Sequence, residues 1–497
     1  MPDSVQVRVR MYRPGLGDCF LLTFSERSDP TRVLAQVLID CGVDWNTSGG
    51  ADRIREIAQD LLKETLRESG SELDVLVVTH EHWDHVSGFK QAKKLFDQLT
   101  IKNVWLAWTE DPNDEFAKSL KAEQALALKA IAYASQQLIG NRATGAAARR
   151  SLAALGQGTA RVLSFSGVDR FAAGFSKSPD EAMDYVSSRK QDDDYCTPGG
   201  KPLTLSALPG VRFYVLAPPK DVDALNKMNP SDVNPETYEL LGGRFDEHRS
   251  FFAALQAHSA RENPANAPDL LSENEARRLR DYPFAVSTRL ADDSSEARAL
   301  FAATYYNDSE DWRRIDYDWM TPAANLALQY DNGLNNTSLV LAIELVDSQR
   351  VLLFAADAQV GSWLSWHDCS FTIEDDSGDE REVKVTELLA RTVLYKVGHH
   401  GSHNATLEKE GLEQMTSPEL VAMIPVDEDY ADKIKGWTMP HPPLYTRINE
   451  KTRGRVLRAD KEWPKPSSQC PPGLSKQDWQ AFKGATTATA LFIDYVL

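Results

Sequence analysis

The sequence predicts a mixed α/β fold carrying two mostly helical insertions, and three observations lead there. Short runs with strand character recur at Val5–Met11, Phe20–Phe24, Val33–Ile39, Leu73–Val78, Lys102–Leu106, Leu352–Phe354 and Val393–Val397. One early segment between them, Ala51–Arg67, changes period and sets Ile54, Ile57, Leu61 and Leu62 at helical spacing. The strand pattern then stops twice for about a hundred residues at a time, over 111–201 and 218–327.

Each element has its own reason. Val5, Val7, Val9 and Met11 alternate with polar residues and give a first strand with one buried face. Ala51–Arg67 reads as a crossover helix between strands. Over 111–201 an Ala-rich pattern sets Phe116, Leu120, Ala125, Leu128 and Ile131 on one helical face. Leu203–Leu208, a Pro209-Gly210 turn and Val211–Leu216 read as a hairpin that rejoins the core. The stretch 218–327 is rich in Pro, Asn and charge and holds the aromatics Phe251, Phe252, Tyr305, Tyr306, Trp312, Tyr317 and Trp319. These either pack an inserted subdomain or offer a stacking platform over a cleft. The expected organisation is a core over 1–110, an insertion over 111–201, a core hairpin over 202–217, a second insertion over 218–327 and the rest of the core over 328–497. Both insertions are placed to form a lid.

Composition narrows the class. Hydrophobic content of 42% with 26% charged residues describes a soluble globular protein with no membrane span. Met1–Pro14 has no apolar signal-peptide core, so a cytoplasmic location is expected. Cys19, Cys41, Cys196, Cys369 and Cys470 are odd in number and widely spaced, which fits reduced thiols; Cys41 reads as a small buried one. A net charge of −18 repels a phosphate backbone at long range and argues against a general nucleic-acid binder, with no stable basic surface evident, but does not exclude a nuclease. The basic runs Lys90–Lys94 and Lys451-Thr452-Arg453-Gly454-Arg455 are solvated faces or local holds for a strand. The acidic run Glu374–Glu380 is an exposed loop between strands.

The most informative stretch is Thr79-His80-Glu81-His82-Trp83-Asp84-His85, directly after the apolar run Leu73–Val78. It gathers three of the chain's 10 histidines with a carboxylate. Neutral imidazole nitrogen and carboxylate oxygen are the donors that zinc and similar divalent cations prefer. On extended backbone His80 and His82 point the same way, while Asp84 and His85 beyond a turn can reach a second ion. Asp357 and His399 also lie at the ends of apolar strands, so donors from three strand ends can converge on one rim. An aspartate there can bridge two cations, and a water between them becomes an acidic nucleophile source.

These residues carry a resemblance. His80-x-His82-x-Asp84-His85 after an apolar strand resembles the signature of metallo-β-lactamase-fold hydrolases. The blocks Gly17–Leu22, Val37–Gly42, Asn335–Leu341, Leu352–Asp357, Lys396–Ser402 and Met439–Pro443 come in an order similar to the metallo-β-lactamase domain of the DNA-uptake channel protein ComEC and its free-standing soluble relatives. The resemblance implies a four-layer αββα sandwich, two mixed sheets face to face with helices outside and the metal centre on one edge. It implies two divalent ions, zinc or manganese, held by His80, His82, Asp84, His85, Asp357 and His399, with Asp40 supporting the loop. Related sites use the histidine directly after the glycine at the strand end, which favours His399 over His400; His400 is then placed outside the ligands or against substrate, as is Ser402.

One departure from the pattern matters. Many members place another histidine between the first motif and Asp357. His248 and His258 fall in that interval but sit in charged helical sequence and read as solvated helix residues. The first site is then looser, filled by water or Asp331, and suited to manganese or magnesium. Asn335 and Asn336 orient a phosphate or form a turn at the start of a strand. His441, between prolines, donates a proton to the leaving group or belongs to a rigid closing loop.

The expected activity is metal-dependent hydrolysis by a hydroxide, with Asp84 taking the proton or orienting the hydroxide; the ComEC-like resemblance implies a phosphodiester of nucleic acid or nucleotide as favoured substrate. The same centre elsewhere opens lactones, thioesters and amides, and a non-catalytic partner-binding module with structural metals is the other alternative.

Overall fold

Alternation of apolar residues turns the N-terminal segments into strands that share one buried face. The protein is described by a computed structural model over residues 5–139, 153–159, 178–227, 251–252, 255–256, 270, 272, 294–305, 322–374, 378–463 and 469–497. Strands β1 (Val5–Tyr12), β2 (Phe20–Glu26), β3 (Val33–Ile39), β4 (Leu66–Arg67), β5 (Gly70–Val77), β6 (Thr100–Trp105), β16 (Thr486–Ala488) and β17 (Phe492–Val496) form one sheet. Its order is β16-β17-β1-β2-β3-β5-β4, with β6 on β5. β1, β2 and β3 meander antiparallel, whereas β3 and β5 run parallel with Val37 opposite Val75. A parallel pair needs a crossover. The helix Gly50–Glu64 supplies it, burying Ile54, Ile57, Ala58 and Leu61.

A second sheet is built from β7 (Leu203–Leu205), β8 (Leu208–Ala217), β9 (Val340–Leu345), β10 (Arg350–Phe354), β13 (Thr392–Lys396), β14 (Val421–Ile424) and β15 (Val456–Arg458). Its order is β15-β14-β13-β10-β9-β8-β7. β10, β13, β14 and β15 are parallel, and β8, β9 and β10 antiparallel. A separate hairpin pairs β11 (Ser370–Glu374) with β12 (Glu380–Lys384). Its connection includes Gly378 and the exposed Asp379; Asp375–Ser377 of the acidic run lie outside the described residues.

Apolar side chains of the two sheets share one core. Val7, Val9, Phe20, Leu22, Val37 and Val75 from the first sheet cluster with Val211, Phe213, Leu341, Ile343, Leu352 and Met423 from the second. Phe20 and Phe354 meet edge to face across that core, ring centroids 5.6 Å apart. The opposite faces take helices: Leu38 and Leu76 pack with Ile57, Leu61 and Phe89, and Tyr395 and Ile424 with Trp363, Trp366, Leu388 and Leu444.

The hairpin differs from the sequence expectation. Its turn falls at Ser206-Ala207, and Pro209 and Gly210 lie inside β8. The partner strand explains why: β9 pairs β8 only from Val211 onward, so the missing N–H of Pro209 leaves no ladder bond unmade. Within 111–201 the helices Glu115–Ile139 and Ser178–Ser187 are described. Most of 218–327, with His248, His258, Tyr306, Trp312, Tyr317 and Trp319, lies outside the described residues. Phe251 and Phe252 are buried in an apolar cluster with Ala127, Leu128, Ile131, Leu326 and Tyr330, so these two pack between helices; Tyr305 is exposed. The helix Pro322–Asn335 runs across position 327, through the expected end of the second insertion, and packs on Glu115–Ile139. No helix among the described residues is long and apolar enough to cross a membrane.

Phe354→Ala removes a ring from the inter-sheet core and should cost about 3–5 kcal/mol. Leu66→Ala, at a side chain 67% exposed, should stay within about 0.5 kcal/mol. Urea denaturation of both variants measures the difference.

Candidate metal centre

β3 and β5 end side by side, and one carboxylate holds the loops beyond both. Asp40, just past β3, sits at φ 57, outside the usual range for a non-glycine residue. Its Oδ1 accepts from the Thr79 N–H (2.8 Å), and its Oδ2 from the Thr79 hydroxyl (2.7 Å) and from His85 Nδ1–H (2.8 Å). The chain continues extended to His82, which precedes the helix Trp83–Gln91. Asp84 and His85 therefore lie in the first turn of that helix. The Asp40–Gly42 loop touches this turn so closely that a Cβ on Gly42 would come 2.3 Å from the Asp84 backbone. One on Gly88 would meet Cys41 O at 2.6 Å; Cys41 itself is a buried thiol.

The ring nitrogens divide into two sets. Outer ones are anchored to the frame: His85 Nδ1 on Asp40, His400 Nδ1 on Pro425 O (2.6 Å), and His80 Nδ1 3.1 Å from Thr79 Oγ1 and 3.4 Å from Ser338 Oγ. Inner ones face each other or carboxylates. His80 Nε2 lies 3.0 Å from His82 Nδ1, His85 Nε2 3.2 Å from Asp357 Oδ2, and His400 Nε2 3.0 Å from Asp84 Oδ2. One donor atom from each of Asp84, His85, Asp357 and His400 falls within 4.8 Å of the others, all four buried. Anchored outer nitrogens fix the tautomer and aim the inner lone pair, which is how metal-binding histidines are held.

The second sheet supplies its donors from two adjacent parallel strands. Phe354 of β10 and Lys396 of β13 are paired, so Asp357 and His399-His400 leave from the same end. Leu339 N–H donates to Thr79 O (2.8 Å), which ties the start of β9 to the loop of the first sheet. His399 lies beside the four-residue group, its Nε2 3.9 Å from Asp357 Oδ2. The structure thus brings His400 as well as His399 to Asp357.

Burial dominates the electrostatics. It pushes His82 and His399 down to about 4 and His80 well below its ordinary value, so these rings are neutral donors. At His85 and His400 burial also opposes charge, but neighbouring carboxylates outweigh it, with Asp357 and Asp18 foremost at His85 and Asp84 at His400, and hold both imidazoles above their usual range. Asp357 is held well below the carboxylate range despite burial, chiefly by His85. Lys396, buried under the site, pairs with Asp18, lies 3.6 Å from Asp357 Oδ1 and donates to Ala356 O (2.9 Å). The sequence pattern assigns no role to Asp18 or Lys396; the one available signal is a lysine inside the apolar run Val393–Val397.

These residues fit a cation. Asp84 Oδ1, His85 Nε2, Asp357 Oδ1 and His399 Nδ1 are buried without a hydrogen-bond partner, a costly arrangement for polar atoms unless something positive satisfies them. Four buried carboxylates, Asp18, Asp40, Asp84 and Asp357, gather around His85 with Lys396 as the ammonium among them. The same carboxylates that raise His85 and His400 would hold a divalent ion, whose binding competes with protons on those rings.

The remaining candidates have more specific places. Asn336 is a structural clamp: its Nδ2 donates to Leu225 O (3.0 Å) and Lys227 O (3.2 Å), and its Oδ1 accepts from Gln359 N–H (3.0 Å). Asn335 is fully buried with both amide atoms lacking a hydrogen-bond partner. Asp331, one turn earlier on the same helix, brings Oδ1 to 3.5 Å from His82 Nε2, the ring nitrogen turned away from His80. Ser402 Oγ donates to Asn404 Oδ1 (2.9 Å). His441 precedes the helix Pro442–Thr452; its N–H donates to Gly401 O (2.8 Å), and its Nε2 is buried without a hydrogen-bond partner. The run Lys451–Arg455 is the end of that helix, with Arg455 folded onto Thr452 O and Pro418 O.

Asp40→Asn exchanges an acceptor oxygen for a donor facing His85. Affinity for manganese or zinc should fall about 10–100-fold, read by calorimetric titration, because only the outer partner is lost. The thermal midpoint should fall as well, since a buried hydrogen bond is unmade at a cost of about 1–3 kcal/mol.

No curated protein and no solved structure matches this chain. A family model, the Metallo-beta-lactamase superfamily, matches residues 34–126, from β3 through the His80–His85 run into the helix Glu115–Ile139. Members of that superfamily are generally hydrolases, and the similarity of this chain to it spans residues 34–126.

Proposed function

We propose that this protein is a metal-dependent hydrolase whose substrate is a phosphodiester of nucleic-acid or nucleotide type, built on a four-layer αββα sandwich. The observation that carries the hydrolase reading is the convergence of Asp84, His85, Asp357 and His400 from three strand ends onto one buried point. The order of the sequence blocks, similar to that of the ComEC metallo-β-lactamase domain, supports the substrate class. The shared core between two sheets with helices on their outer faces supports the sandwich.

His80, His82, Asp84, His85, Asp357 and His399 are the residues we assign to hold two divalent cations, zinc or manganese, with His400 added to them on its distance to Asp84. Bound cations supply Lewis-acid activation of water and of a substrate oxygen. The chain's own residues do the rest. Asp84 offers Oδ1 as proton acceptor, because His400 occupies its Oδ2 and fixes the carboxylate plane. Burial excludes bulk water from Asp84 and Asp357, which strengthens every charge interaction there. Lys396, 3.6 Å from Asp357 Oδ1, adds to the effect of His85 in keeping Asp357 ionised. His441, seated against the Gly398–Gly401 turn, is assigned the proton that the leaving oxygen takes.

Asp84→Ala should reduce turnover at least about 100-fold, the lower bound for loss of a proton-transfer group, while circular dichroism stays unchanged. The assay sets single-stranded DNA, RNA, cyclic nucleotides and a lactone side by side under manganese and under zinc. Turnover of the lactone alone would move the protein to the carboxylic-ester branch. A metal-loaded wild type inert toward all four would end the proposal.

A further inference from the structure

Trp45 stands in water where its neighbours do not. It lies in the loop after β3, and 37% of its surface is exposed, whereas Cys41–Asp44 before it are all buried. Every other tryptophan among the described residues is buried or half-buried. An indole left outside forgoes apolar burial that a flat ring placed on it would recover.

The loop holds it there. Asp44 is buried and accepts from Lys435 Nζ (2.7 Å) and from the Tyr430 hydroxyl. Beyond Trp45, the Asn46 N–H donates to Asp44 Oδ1 (3.1 Å) and the Thr47 N–H to Asp44 O (3.1 Å). The indole is carried on backbone fixed before and after it, so little ordering cost falls on a ligand that binds it.

Its position relates it to the metal loop. The rings of Trp45 and Trp83 meet with centroids 4.9 Å apart at 51°. Trp83 is buried and stands between His82 and Asp84, as the first residue of the helix Trp83–Gln91. Its Nε1 has no hydrogen-bond partner. Gly42 lies against the Asp84 backbone, and three residues of chain carry Trp45 at most about 11 Å from Gly42. Asp44, the charged neighbour of Trp45, is neutralised by Lys435, and Ile434 before that lysine is 47% exposed. Such a surface offers a flat ring a π face and gives a phosphate no uncancelled cation.

We infer that Trp45, backed by Trp83, is a stacking subsite beside the metal centre that takes the planar heteroaromatic ring of the substrate, a nucleobase. The phosphodiester goes to the His80–His85 loop and the base to the indole. The identity of the ring rests on the phosphodiester reading, but the subsite is read out by binding, without cation or turnover.

Full-length wild type, Trp45→Phe, Trp45→Leu and Trp45→Ala are titrated at low salt in chelator with labelled oligothymidylate and with an abasic oligomer of the same length and backbone, and circular dichroism verifies folding. Wild type should bind the oligothymidylate at least about 10-fold more tightly than the abasic oligomer, within the range that one stacked base gives. Trp45→Phe should keep most of that preference. Trp45→Leu, apolar without a ring, and Trp45→Ala should lose it, with affinity for the abasic oligomer unchanged. Thymidine monophosphate is the competitor: displacement of the oligomer through Trp45 assigns the subsite to a free nucleotide, and failure to displace assigns it to a base within a strand. Equal affinity of wild type for both oligomers, binding of neither included, overturns the subsite. So does a folded Trp45→Ala protein that keeps the preference or loses both oligomers alike. Those results leave the hydrolase reading standing. A base preference carried by Trp45, in a protein whose metal-loaded form cleaves no phosphodiester, keeps the subsite and ends the phosphodiesterase reading.

Discussion

Asp18, Asp40, Asp84 and Asp357 each place a carboxylate oxygen within 4.0 Å of the His85 ring, and all five residues are buried. Charges of one sign gathered away from water repel, and burial alone would drive them to protonate. Lys396 answers Asp18 and Asp357 from below, Thr79 answers Asp40 from the side, and the inner oxygens of Asp84 and Asp357 are left facing one another's site. The frame satisfies the outer atoms, and the inner ones left without a hydrogen-bond partner fit a cation.

That arrangement depends on where strands end. β3, β5, β10 and β13 deliver Asp40, the His80–His85 run, Asp357 and the His399-His400 turn, two strands from each sheet. Parallel pairing inside each sheet puts two of these ends side by side, and the bond from Leu339 N–H to Thr79 O joins the two edges. The apolar core between the sheets thus sets the separation of donors that come from different sheets. A core rearrangement at Phe20 or Phe354 would be felt at the site, because Phe20 follows Asp18 by two residues and Phe354 precedes Asp357 by three.

How much of this is legible in the chain depends on the range of the interaction. The His80–His85 run is legible because its ligand chemistry is contained in seven residues after one apolar strand, and Asp357 because it lies just past another. The crossover helix is legible from the spacing of Ile54, Ile57 and Leu61. The approach of His400 as well as His399 to Asp357 is not, since two left-handed residues in succession leave no periodic signature and adjacent letters look equivalent. Lys396 reads as a polar interruption of a strand until Asp18, 378 positions earlier by subtraction of the residue numbers, is folded beneath it. The hairpin turn at Ser206-Ala207 is hidden by a stronger local turn signal at Pro209-Gly210, which loses because β9 reaches only to Val211.

One helix outside the two sheets brings polar groups to the site. Pro322–Asn335 is fixed by Leu326, Ala327, Tyr330 and Leu334 packing on Ala127, Leu128 and Ile131 of the helix Glu115–Ile139. It carries Asp331 and Asn335 four residues apart, hence on the same face, and Asn336 at its end clamps Leu225, Lys227 and Gln359. Burial raises the Asp331 carboxyl well above its usual range, and Asp84 adds to the effect. Packing of this helix on Glu115–Ile139 therefore fixes where Asp331 stands, 3.5 Å from His82 Nε2.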